Sequence, residues 1–124
     1  MNFIREIADC FKWYSHWKTL PVLNWIKAAE LFRRGDYLSA ISFYESGLKK
    51  HINHPARDCA QFDLAYCYYR IGKLDFAQSL LAQLVQKRVE LKEAYLLLSR
   101  IRKSTGHIVS SRTILELALS LIHI

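Results

Sequence analysis

The side chains best suited to metal chemistry are His51, His54 and Cys59, which fall within nine residues of one another. A metal site needs three or four ligands converging on one point. Here His51 closes one predicted helix, His54 lies in the connection after it, and the cysteine belongs to the next helix. They read instead as surface histidines at a helix C-terminus, where the end charge of the helix favours them. Asp58, Asp63 and Asp75 show no pairing that would set one carboxyl as acid and another as base. There is no glycine-rich phosphate loop and no Gly-x-Ser-x-Gly elbow. Cys59 and Cys67 would stand about 12 Å apart along one helix, too far to bridge. With Cys10 they form no disulfide framework, which fits a reducing, cytoplasmic setting. The expectation is therefore no catalytic residue, no metal and no cofactor.

The elements that would carry these residues follow from composition and spacing. The chain has 124 residues, the length of one small domain, and its 52% hydrophobic content is ample for a core. Only two prolines and four glycines interrupt it, which favours long helices over many short strands. The net charge of +7 is spread along the chain and rises toward the C-terminus without forming a basic tail. Such a distribution is a solvated surface with some preference for acidic partners. No apolar run reaches transmembrane length. The first apolar stretch is broken by Arg5, Glu6, Asp9 and Lys12, so it does not read as a signal peptide.

Three glycines set the organisation. Gly35, Gly72 and Gly106 are spaced by 37 and 34 residues, and each lies between two helical apolar patterns. A glycine there can take the left-handed conformation that ends a helix. Seven residues before each stands a small residue: Ala28, Ala65 and Ser99. Five residues after each stands another: Ala40, Ala77 and Ser111. Tyr37, Leu74 and Ile108 recur two places after the glycine, and Tyr44, Leu81 and Leu115 nine places after it. Gly47, Leu84 and Ala118 recur at twelve. Small residues at facing positions let two antiparallel helices approach closely, and the large ones fill the space around the contact.

From about residue 21 to 118 this pattern resembles the tetratricopeptide repeat. Departures from it are visible. Asn24 and Gln61 stand where a large residue is usual, with Trp25 and Phe62 one place later. Lys27 takes a usual leucine position, and Pro55 comes late in a long connection. The resemblance implies an all-α, right-handed solenoid of antiparallel helix–turn–helix pairs, with repeats at about 21–55, 56–89 and 90–124. Helices are expected at 22–34, 37–51, 56–71, 74–87, 90–104 and 108–121. Residues 1–20 form a separate amphipathic helix.

In this family the first helix of each repeat lines a concave groove that takes extended peptides or helices. Helical periodicity projects Trp25, Ala29, Phe32 and Arg33 onto that face from the first repeat. Phe62, Asp63, Tyr66, Tyr69 and Arg70 follow from the second, and Leu96, Leu97, Arg100 and Lys103 from the third. Tyr68 and Leu64 are expected in the core. An aromatic surface with a basic margin suits a protein or peptide ligand with apolar anchors and acidic groups. The Lys/Asn/Arg clamp that some members use to grip a C-terminal carboxylate is missing, so binding of chaperone tails is not expected. The expected function is a protein–protein interaction scaffold rather than an enzyme. The alternatives are single-stranded RNA binding, as in the related pentatricopeptide repeats, and an accessory domain of a larger enzyme.

Both ends carry apolar faces. Phe3, Ile4, Ile7, Cys10, Phe11, Tyr14 and Trp17 form one on the N-terminal helix, expected to cap the first repeat or to fold into the groove. A membrane-surface role is disfavoured by that segment's small net charge. Residues 114–124 are nearly apolar all round, which raises self-association. Residues 119–124 are also the translation of CTG-TCT-CTT-ATA-CAC-ATC, the end of a common transposon sequencing adapter. The expectation is that the natural sequence ends near Ala118.

Overall fold

The computed structural model describes residues 22–87, 89 and 91–122. The expected N-terminal helix lies outside the described residues. Six helices follow in order: α1 (Leu23–Arg33), α2 (Tyr37–Lys50), α3 (Arg57–Arg70), α4 (Leu74–Gln86), α5 (Lys92–Ser104) and α6 (Ile108–Ile122). The described residues contain no strand. Their bounds fall within two residues of the expected ones, as end-fraying permits.

Each pair is closed by the same turn. In the first, the Asp36 amide donates to the Leu31 carbonyl at 2.9 Å and the Gly35 amide to that of Phe32 at 3.0 Å. Lys73 and Gly72 repeat this on Tyr68 and Tyr69, and His107 and Gly106 on Arg102 and Lys103. This is the Schellman arrangement, which satisfies carbonyls the helix end would leave orphaned. It needs a positive φ at its fifth residue, and Gly35, Gly72 and Gly106 supply +81°, +87° and +90°. Asp36 then starts α2 by accepting the Ser39 amide on its side chain.

The main packing runs between helices consecutive in the chain, from α1 on α2 to α5 on α6. The small residues at the repeat positions are all buried: Ala28, Ala40, Ala65, Ala77, Ser99 and Ser111. In the third pair the close approach is polar. Ser99 and Ser111 meet Oγ to Oγ at 2.7 Å, and the Ser99 hydroxyl lies 3.2 Å from the Ser111 carbonyl. In the first pair the close approach is between ring and backbone. Trp25 is fully buried, and a Cβ added at Gly47 would fall 2.6 Å from its Cδ1 and closer still to Nε1. The indole therefore occupies the space a side chain at 47 would need. Its N–H donates to the Tyr44 carbonyl at 3.4 Å.

Leu64 is in the core as expected. Tyr68 is not: it is half-buried, because its hydroxyl reaches out to the Glu45 carboxylate on α2 while its ring stacks on exposed Phe76 at 5.2 Å. Burial and the neighbouring Glu45 push the Tyr68 phenol up to about 12.

Candidate partner-binding face

The residues with most chemistry in the sequence turn out to be structural. The rings of His51 and His54 stand edge-on to Trp25, with centroids 5.8 and 5.1 Å away. They flank its indole at the end of α2. His54 Nδ1 also accepts the Ala56 amide at 3.0 Å, which organises the turn into α3. No group of three His, Cys, Asp or Glu side chains among the described residues could hold a metal ion. Cys59 and Cys67 are free thiols buried in α3. Burial, with Asp63 nearby, pushes the Cys67 thiol well above its ordinary range, so it is a poor nucleophile.

Two of the residues projected onto the groove are core instead. Trp25 and Phe62 are both fully buried. Each stands one place after the family's usual large position, which turned the projection by about 100° at 3.6 residues per turn. Gln61 itself is buried and bound, accepting from Arg57 at 2.9 Å and donating to the Leu80 carbonyl at 3.0 Å. Ala29 and Leu97 are also buried, and Leu96 is half-buried.

The rest of the projection converges at the C-terminal ends of α1 and α3. Phe32 meets Tyr66 at 5.5 Å between centroids, and Tyr66 meets Tyr69 at 5.9 Å. A fourth ring, Tyr37 at the start of α2, stands edge-on to Phe32 at 5.4 Å and to Tyr66 at 5.8 Å. The sequence reading missed Tyr37 as part of this cluster, although its place two residues past the turn glycine was the available signal. Arg70 is exposed and lies over the Tyr37 ring, 5.3 Å from its centroid. Burial, then Tyr37, pushes the Tyr66 phenol above its ordinary value, with Arg70 acting the other way. Phe32 and Tyr66 are largely covered, whereas Tyr37 and Tyr69 are half-buried. Arg33, Arg100 and Lys103 are exposed. The result is a rigid aromatic platform with a cation seated on one ring and further cations on α1 and α5.

Asp63 sits deeper on α3, 1% exposed. Tyr44 donates to its Oδ2 at 3.3 Å, while Oδ1 has no hydrogen-bond partner among the described residues. Burial raises its pKa well above the carboxylate range, and the Tyr44 bond only partly offsets this. Among the described residues no second carboxyl pairs with it. No described helix is long and apolar enough to cross a membrane.

A search of curated proteins returns no match. A family model described as tetratricopeptide repeat matches residues 31–101. That span runs from the end of α1 into α5 and takes in the turns at Gly35 and Gly72, so the chain belongs to the tetratricopeptide repeat family.

Proposed function

We propose that this array is a protein–protein interaction module that holds a peptide or helix of its partner against the ends of α1, α3 and α5. Repeats of this family generally mediate protein–protein interaction and are typically non-enzymatic. The observation that carries the reading is the four-ring cluster of Phe32, Tyr37, Tyr66 and Tyr69 with Arg70 over it. Aromatic rings locked by one another present contact area at little entropic cost, and Arg beside Tyr is a composition that dominates interface energetics. Arg33, Arg100 and Lys103 extend the cationic margin, so the partner segment carries an apolar or aromatic anchor flanked by carboxylates.

The test is selection of peptides from a display library with the full chain, followed by titration of the enriched sequences. Enriched peptides should combine an aromatic or aliphatic residue with Asp or Glu. Tyr66→Ala and Arg70→Ala should each weaken binding by about 1–3 kcal/mol. Unchanged affinity in both variants rejects this face.

A further inference from the structure

The floor of the aromatic face changes character along the array. Six residues before the turn glycines stand Ala29 on α1, Tyr66 on α3 and Arg100 on α5. Three residues before them stand Phe32, Tyr69 and Lys103. The same Schellman turn closes all three pairs, so these positions share one register. Residues three apart on a helix lie on one face. The floor is therefore a buried alanine and phenylalanine on α1, two tyrosines on α3 and two exposed cations on α5. The charge beside the floor is just as uneven. On α1, exposed Glu30 stands three residues before Arg33 and four before Arg34, near enough to offset them. On α5 no acidic residue follows Glu93, while Arg100, Arg102 and Lys103 close the helix. Cations complement the end charge of any helix, and Arg33 and Arg70 do so in the last turns of α1 and α3. What sets α5 apart is cations at the floor positions where α3 carries rings.

We infer that the partner's carboxylates all lie on one side of its anchor, over α5, so that the face fixes the direction in which the segment crosses the array. This rests on the reading above, in which the rings hold the anchor. Neighbouring helices in such an array lie about 10 Å apart. An extended chain advances about 3.3 Å per residue. A segment anchored over Tyr66 and Tyr69 therefore reaches Arg100 and Lys103 about three residues later. The ligand is an extended peptide with an aromatic or aliphatic anchor and an acidic stretch that begins about three residues to one side of it. On its other side, over Ala29 and Phe32, the floor offers no cation, so acidic residues there gain nothing.

Two measurements on the full chain test this. In the first, peptides selected from a random display library are aligned on their aromatic or aliphatic anchor. Acidic residues should be enriched at least threefold on one side of the anchor, beginning about three residues out, and not on the other. Equal enrichment on both sides overturns the inference and leaves the aromatic platform standing. In the second, the most enriched peptide is titrated beside a counterpart whose carboxylates are changed to lysine. Lys103→Glu should weaken the acidic peptide at least tenfold and strengthen the lysine counterpart, with the helical circular dichroism unchanged because Lys103 is exposed. Arg33→Glu should change the acidic peptide less than twofold. Equal losses in the two variants overturn the inference, as does a lysine counterpart that gains nothing from Lys103→Glu. Tyr66→Ala separates the two failures. A peptide weakened by Tyr66→Ala but indifferent to Lys103→Glu sits on the platform without the direction inferred here. A peptide indifferent to both overturns the platform reading as well.

Discussion

The indole of Trp25 lies against the backbone of Gly47, in the volume that any side chain at 47 would claim. Two opposing rules meet at that glycine. In an exposed helix interior, alanine is more stable than glycine by about 0.5–1 kcal/mol. Beneath Trp25, a methyl group would collide with a fully buried ring that also packs edge-on against His51 and His54. Overpacking of that kind costs about 1–3 kcal/mol. Gly47→Ala should therefore lower the denaturation midpoint. A rise would show that the ring is free to move away.

The serine pair gives a double-mutant cycle. Ser99→Ala or Ser111→Ala alone leaves a buried hydroxyl without its side-chain partner, at a cost of about 1 kcal/mol. The double alanine variant restores the residue pair found in the first two repeats, Ala28 with Ala40 and Ala65 with Ala77. It should be more stable than either single variant, giving a coupling energy of about 1 kcal/mol in urea titrations.

Asp63 should make the fold less stable as pH rises. Its pKa in the folded chain is raised, so the unfolded chain loses this proton first. Its contribution is fully present below the unfolded value near 3.9 and falls as pH climbs toward the folded value. Asp63→Asn keeps an acceptor for Tyr44 and removes the ionisation. The variant should be more stable than the parent at pH 7, with the difference shrinking toward pH 4. A parent that gains stability over the variant as pH rises would contradict this assignment.

Arg70 separates binding from folding. As an exposed cation over Tyr37 it should contribute no more than about 1 kcal/mol to stability. Arg70→Gln should therefore leave the midpoint almost unmoved while partner affinity falls at least fivefold. The salt dependence of that affinity should be shallow. A loss of a thousandfold between 50 and 200 mM salt is the behaviour of a polyanion-binding protein, and would point to nucleic acid.

The helices and their turns were readable because both depend on residues close in sequence. Gly35, Gly72 and Gly106 each end a helix through bonds that span five residues, and the small residues seven before and five after each recur at fixed offsets from them. The groove face was less readable because it depends on which side of a helix the array covers. Trp25 went to the core because Gly47, 22 residues on, makes room for it. Tyr37 joined the aromatic cluster because α1 and α3 bring Phe32 and Tyr66 to it, and no local spacing encodes that meeting. Tyr68 left the core for one carboxylate on another helix, Glu45.

The packing of each helix on the next one along the chain also governs how the molecule comes apart. Its cohesion resembles that of a row of coupled hairpins more than that of a globule, because neighbour terms add along one axis. Damage at one end should fray outward-facing helices and stop at the next sound boundary. Amide exchange should accordingly be slowest in α3, the helix with nine successive buried residues, and quicken toward α6. An array built this way loses its ends before it loses its middle, so Tyr66 and Tyr69 on α3 should keep their places after Phe32 and Tyr37 have lost theirs.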